Sequence, residues 1–474
     1  MTQEQSSVDE NEAADWGTSD ELTAFETMMW RADADPALRS AGLIVEVLDH
    51  APDWDRLVTG HRWVVRRVRR MRQRVLEDRS RIGQPAWVDA EVDLNAHLRR
   101  VTLPPGSTFD DAMVVAAEVH MEGFERDRPQ WKGVLVDGLA DGRALYLFKL
   151  HHAMSDGTAL IQLLHLIHST TAEPTVSASD QADPSRAAVA SAQALVVRNA
   201  ARQVGRAPGL VARGGRIAGG VLRRPRRSAL STVRYVQSLG RMAGASPGTP
   251  SPALSERGLG RDVFAIDVAM ADLRAAGKAL GGSLNDAYLA ALGAGLRRYH
   301  EALGVEVDEI PLGMPISLRK AGDEGGGNRF AAARVALPVA ERDATARVAR
   351  VRAQVLAARD EPALDLAGAA APLLSRLPTG VLTRTTSTMT SALDVQASNF
   401  RGLTRAAYVA GAEVLEVYVM GPVPGCAIMA TLISNRDRCS IGVAVDTAAV
   451  TDVPLLRRSI GEGLAEVVAA GAAG

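Results

Sequence analysis

The stretch 144–157 constrains the fold more than any other part of the chain. Residues 144–150 (ALYLFKL) form an almost unbroken apolar run that reads as a strand. It ends in His151-His152-Ala153-Met154-Ser155-Asp156-Gly157, and residues 160–167 then resume as an apolar helix. Upstream, residues 134–137 read as a partner strand across the turn Asp141-Gly142, a hairpin that delivers the chain to the two histidines. A strand end carrying adjacent imidazoles suits proton transfer, because the unperturbed histidine pKa, about 6.5, lies close to working pH. His152 is the candidate base for a hydroxyl or amine proton, and His151 either sets the turn or holds His152. With this composition, the four fixed letters of HHxxxDG occur by chance in roughly one chain in a thousand.

A chain of 474 residues exceeds one ordinary core, so two domains are expected. The boundaries read as a disordered N-terminus over 1–20, a first α/β domain over 21–175, a basic helical crossover and linker over 176–260, and a second α/β domain over 261–474. Net charge is −1, which argues against a nucleic-acid partner. Cys426 and Cys439 have no metal-ligand spacing, and no metal is expected. The N-terminus is acidic and lacks a basic start followed by an apolar run, so a cytoplasmic location is expected. The uncharged window 417–435 is broken by Gly421, Pro422, Pro424 and Gly425 into two strand-length halves, not a membrane helix. Between Arg186 and Arg241 stand twelve arginines and no acidic residue. That stretch is either a solvated helical crossover or a surface for anionic lipid, which would make the protein peripheral on membranes or lipid droplets.

Further strands are expected at 43–48, 263–268, 310–312, 332–337, 416–420, 427–433 and 441–445, with helices over 109–122 and 454–468. A longer helix is expected from Trp54, with Leu57, Val64, Val68, Met71 and Val75 on one face, and 104–106 is expected to be a loop. Ser283 with Asp286 forms a capping-box pattern, which places Asn285 in the first turn of a helix.

Several segments resemble the bacterial wax ester synthase/diacylglycerol acyltransferase family. They are the HHxxxDG motif, Asp127-Arg128-Pro129-Gln130-Trp131, Asn285-Asp286, Pro315-Ile316-Ser317-Leu318-Arg319, Gly327-Asn328 and Ser398-Asn399-Phe400-Arg401-Gly402. Gln130 stands where leucine is usual, and Asn435 where an aromatic is common. The resemblance implies two chloramphenicol-acetyltransferase-like α/β domains packed as a V around an interface tunnel. It implies transfer of a long acyl chain from acyl-CoA to the hydroxyl of diacylglycerol or a long-chain alcohol, with no cofactor beyond the acyl-CoA substrate. His152 would be the base, Asp156 would brace the loop by pairing with Arg319, and Gly157 would allow close packing. Asn285, Asp286, Ser398 and Asn399 would line the substrate path or support it. The competing expectations are the same chemistry on a non-lipid alcohol or amine, and a non-catalytic lipid-binding protein.

Overall fold

The computed structural model describes residues 17, 19–78, 84–155, 157–173, 197, 247–317, 330–360 and 375–473. The expectations for residues 1–16, for most of the arginine-rich stretch, and for Asp156 and Arg319 lie outside these residues. The strands in chain order are β1 Ala41–Leu48, β2 Gln73–Leu76, β3 Ala86–Asp89, β4 Leu98–Ser107, β5 Trp131–Leu139, β6 Ala144–His151 and β7 Arg261–Ala269. They continue as β8 Glu309–Ser317, β9 Phe330–Pro338, β10 Val395–Arg401, β11 Tyr408–Val409, β12 Ala412–Met420, β13 Ile428–Asn435 and β14 Arg438–Asp446. Two mixed six-stranded sheets result, ordered β11-β12-β1-β6-β5-β4 and β7-β14-β13-β10-β8-β9. The α/β class and two-sheet organisation expected above are what the chain adopts.

β6 lies between β1 and β5, antiparallel to both, and is buried along its whole length. Burial on both faces explains why its sequence runs apolar without alternation. One face, with Tyr146, Phe148 and Leu150, packs against helices Trp54–Arg67 and Gly157–Ile167, where Leu163 and Leu164 are fully buried. The other face, with Leu145 and Leu147, packs with Ala112, Met113 and Ala116 of helix Phe109–Met121. That second cluster also contains Val263, Met429 and Ala444, so one apolar layer joins the two sheets.

β12 belongs by position to the second half of the sequence, yet it pairs antiparallel with β1 and completes the first sheet. It also runs close to the second sheet. A Cβ on Gly442 of β14 would sit 2.4 Å from the Val419 carbonyl oxygen, so glycine is what lets the strands approach. The uncharged window 417–435 therefore supplies neighbouring strands to two different sheets, and among the described residues no helix is long and apolar enough to cross a membrane.

Two local expectations differ from the fold. The helix from Trp54 stops at Arg67; Met71 and Val75 are buried through a 3-10 turn and β2 instead. Pro104 and Pro105 lie within β4, not in a loop; β4 is an edge strand whose register slips between Thr102 and Ser107, where a missing N–H is tolerated. Residues 395–401, not among the expected strands, form β10, parallel to β13 and β8.

Two histidines in the core are held neutral. His61 donates from Nδ1 to the Leu57 carbonyl at 2.9 Å and accepts at Nε2 from the Tyr146 hydroxyl at 2.6 Å, and burial pulls its pKa to about 4. His120 donates to the Gly421 carbonyl at 3.1 Å, and burial, with the Lys149 charge, pulls it to about 3. The unfolded chain protonates both near pH 6.5, whereas the folded chain resists to the lower values. Stability is therefore highest above pH 6.5 and falls as pH drops below it, by up to about 1.4 kcal/mol per pH unit for each histidine. Urea midpoints measured at pH 7.5, 6 and 5 should decline in that order, before ordinary carboxylates titrate. A flat profile would show that these two rings ionise without penalty.

Candidate active site

The chain leaves β6 through a turn tied down on both sides. The His151 N–H donates to the Gln130 carbonyl at 3.0 Å, and the His152 N–H donates to the Ser40 carbonyl at 2.7 Å. Within the turn, the Met154 N–H donates to the His151 carbonyl at 2.9 Å and the Ser155 N–H to the His152 carbonyl at 3.3 Å. Helix Gly157–Ile167 follows at once.

The two imidazoles sit in different surroundings. His151 is 1% exposed, with Trp30 edge-on at 5.7 Å and Phe124 at 6.3 Å between ring centres. Its Nδ1 accepts the Ala153 N–H at 3.0 Å, so the ring proton of the neutral form resides on Nε2. That Nε2 lies 3.4 Å from Asp33 Oδ1, without hydrogen-bond alignment. His151 thus has its one basic nitrogen occupied by the backbone and cannot receive a proton from a substrate there. His152 is only half-buried. Of the pair, it alone is not fully buried, and its backbone is fixed to Ser40.

Gln130, the departure from the family pattern, is 1% exposed and closes the loop behind His151. Its side-chain amide donates to the Glu125 carbonyl at 2.8 Å and to the Arg128 carbonyl at 2.6 Å. A leucine would fill the volume but leave those carbonyls to other donors. Asn435 also serves as a tie: Oδ1 accepts the Leu403 N–H at 3.1 Å and Nδ2 donates to the Val417 carbonyl at 3.0 Å. It links the end of β13 and the interior of β12 to the segment after β10. A Cβ on Gly402 would fall 2.1 Å from Asn435 Oδ1 and 2.6 Å from Ile433 Cγ1, so this glycine permits the close approach.

The second half places its candidates at the start of helix Leu284–Ala302 and the end of β10. Asn399 Nδ2 donates to Asn285 Oδ1 at 3.2 Å, so two residues 114 positions apart meet. Ser398 is the half-buried neighbour of the exposed Asn399. Asp286 is 4% exposed and does structural work. Its Oδ2 accepts from the Ser283 N–H and hydroxyl, both at 2.8 Å, completing the capping box, and pairs with Arg352 at 3.2 Å.

Sequence reasoning missed Asp33 and Lys149. Lys149 Nζ, fully buried, donates to the carbonyls of Val119 at 2.7 Å, His120 at 3.1 Å and Glu122, at the C-terminal end of helix Phe109–Met121. Its signal was present: a lone charged residue inside a run otherwise buried on both faces. Asp33 gave none, since it looks like an ordinary acidic residue after a helix.

The wax ester synthase/diacylglycerol acyltransferase catalytic domain, as a family model, matches residues 17–288, and the WS/DGAT C-terminal domain matches 326–467. The chain belongs to the wax ester synthase/diacylglycerol acyltransferase family. Among its relatives, a Mycobacterium tuberculosis protein provisionally named a diacylglycerol O-acyltransferase is 36% identical over 461 residues, covering 95% of this chain and 92% of its own. A Mycobacterium bovis protein of the same provisional name is 28% identical over 83% of this chain and 79% of its own. Among solved structures, a Marinobacter aquaeolei wax ester synthase/diacylglycerol acyltransferase superposes with a TM-score of 0.64 at 18% identity, covering 95% of this chain and 100% of that one. The first condensation domain of a calcium-dependent antibiotic synthetase superposes at 0.58 with 16% identity, over 95% and 96%. At these identities the two structures speak for the fold. This member of the family carries the two-domain architecture that the condensation domain shares.

Proposed function

We propose that this protein is an acyl-CoA-dependent O-acyltransferase that moves a long acyl chain to the hydroxyl of diacylglycerol or a long-chain alcohol, giving triacylglycerol or wax ester. Family membership supports the reaction class, and the relatives' provisional names favour the lipid acceptor. The observation that carries the mechanism is the unequal histidine pair, with His151 Nδ1 engaged by Ala153 and His152 half-buried at the turn. In the proposed step, His152 takes the acceptor hydroxyl proton as the oxygen attacks the thioester carbonyl. The tetrahedral intermediate then collapses, the carbon–sulfur bond breaks, and the imidazolium protonates the leaving CoA thiolate. The attack is direct, so no acyl-enzyme forms, and the reaction as written needs no metal or prosthetic group. In this reading Asn285 and Asn399 border the substrate path between the domains.

Palmitoyl-CoA offered with diacylglycerol, with hexadecanol, or with a water-soluble alcohol or amine tests the reading through CoA release. Release that depends on either lipid acceptor supports it. Release only with a soluble acceptor would retain the chemistry and replace the substrate class, and no acceptor-dependent release would favour a binding protein. The arginine-rich stretch 186–241 is proposed as the contact with anionic lipid. Replacing Arg223, Arg224, Arg226 and Arg227 by serine should abolish flotation with anionic vesicles, and unchanged flotation would remove that role.

A further inference from the structure

We propose that Asp33 is a positioning residue for the histidine pair: a single carboxylate sets the tautomer of His151 and, through Ser40, the backbone of His152. The inference rests on the acyl-transfer reading for its kinetic consequence and on geometry alone for its structural one.

Asp33 caps the C-terminus of helix Ala24–Ala32, and its own N–H donates to the Met29 carbonyl at 3.0 Å. The carboxylate is therefore carried on a fixed backbone. Its Oδ1 accepts the Ser40 N–H at 2.8 Å, and the same oxygen lies 3.4 Å from His151 Nε2. One peptide unit further, the Ser40 carbonyl receives the His152 N–H at 2.7 Å. A short chain of contacts thus runs from Asp33 to both histidines, one through the side chain and one through the backbone just before β1.

Burial raises the Asp33 pKa, but His151, the Ser40 N–H and the Arg126 charge outweigh that and hold it below the usual carboxylate value. Asp33 is thus ionised at neutral pH. Arg126 is itself fixed, with its guanidinium 4.4 Å over the Trp30 ring and Nη2 donating to the Trp30 carbonyl at 2.6 Å. A carboxylate beside Nε2 favours the tautomer that carries its proton there, as in other histidines oriented by an acid. That tautomer leaves Nδ1 as a lone pair, which is what the Ala153 N–H requires. With the opposite tautomer, an N–H on Nδ1 would face the Ala153 N–H, two donors in contact, and the turn that carries His152 would open. Asp33 excludes that state.

The experiment uses the full chain with ¹⁵N-labelled histidine, the His151 signals being assigned against His151→Phe. The expected parent spectrum has a protonated Nε2 and an unprotonated Nδ1 at His151. Asp33→Asn keeps the shape and an oxygen for Ser40 but removes the charge. It should give a mixture of tautomers at His151 and lower kcat for acyl transfer roughly 100-fold, as for a misplaced reacting group, with KM for acyl-CoA within about twofold. A parent His151 protonated on Nδ1 overturns the proposal without reference to any variant. So does an Asp33→Asn spectrum identical to the parent's, whatever happens to the rate. Were the parent to show no acyl transfer, the functional reading would fall, and the tautomer measurement would still decide the role of Asp33.

Discussion

His152→Ala should lower kcat for acyl transfer by roughly 10²- to 10⁴-fold, the usual weight of a positioned general base. KM for acyl-CoA should stay close to the parent value, because the imidazole acts on the acceptor hydroxyl and the leaving thiolate, not on the body of the donor. The fold should survive. His152 is half-buried, and its backbone ties, the N–H to Ser40 and the carbonyl to the Ser155 N–H, are retained by alanine. Stability should therefore change by no more than about 0.5 kcal/mol. His151→Ala must behave differently. Its ring fills a site between Trp30 and Phe124 and closes the turn through Nδ1. Removing it should lower both the unfolding midpoint and the rate, by about 2–4 kcal/mol in stability for a buried ring and a lost hydrogen bond. The pair of substitutions separates chemistry from support. A fully active His152→Ala protein would show that another group takes the proton.

The parts of the fold legible in the sequence were those in which one physical cause dominates. β6 could be read because burial on both faces leaves no room for alternation, and the cap at Ser283 could be read because a capping box is local. β12 was located as a strand, but its sheet was not, since pairing with β1 is a contact between residues hundreds of positions apart. Residues 395–401 hid as a polar segment because serine, asparagine and arginine weaken strand propensity. Parallel pairing with β13, where Ala397 meets Ala430 and Asn399 meets Leu432, overrides that preference. Pro104 and Pro105 misled for the opposite reason: an edge strand does not need the hydrogen bonds that proline cannot make.

For the site, the motif located the histidines, and geometry was needed to tell them apart. Only the structure shows that the Ala153 N–H occupies Nδ1 of His151. Asn285 and Asn399 were each singled out, but their meeting depends on how a helix start and a strand end come together. Asp33 carried no signal because its partners, Ser40 and His151, are brought to it by β1 and β6.

Lys149→Met should destabilise the protein by about 2–4 kcal/mol at neutral pH. Two effects oppose each other. Burial pulls the lysine pKa to about 7, with the Glu122 charge partly offsetting it, so methionine relieves a desolvation penalty. Against that, Nζ supplies the donor for the carbonyls of Val119, His120 and Glu122 at a helix C-terminus, where a cation also meets the favourable end of the helix dipole. The Val119 carbonyl also accepts the Glu122 N–H at 3.3 Å, which leaves two carbonyls with most to lose. Each costs about 1–3 kcal/mol when buried without a donor, so the loss outweighs the relief. The balance depends on pH in a direction that identifies the residue. Between about pH 7 and the unfolded lysine value near 10.5, the unfolded chain holds a proton that the folded chain has released. Parent stability therefore gains up to about 1.4 kcal/mol per pH unit over that window, and the methionine variant lacks this slope. The gap between the two proteins in urea unfolding should widen from pH 7 to pH 9. Because Lys149 and His151 lie two residues apart on one face of β6, loosening this anchor should also slow acyl transfer. A gap that stays constant with pH would mean that Lys149 keeps its charge in the folded protein throughout the range, and that the helix end holds it as a buried cation.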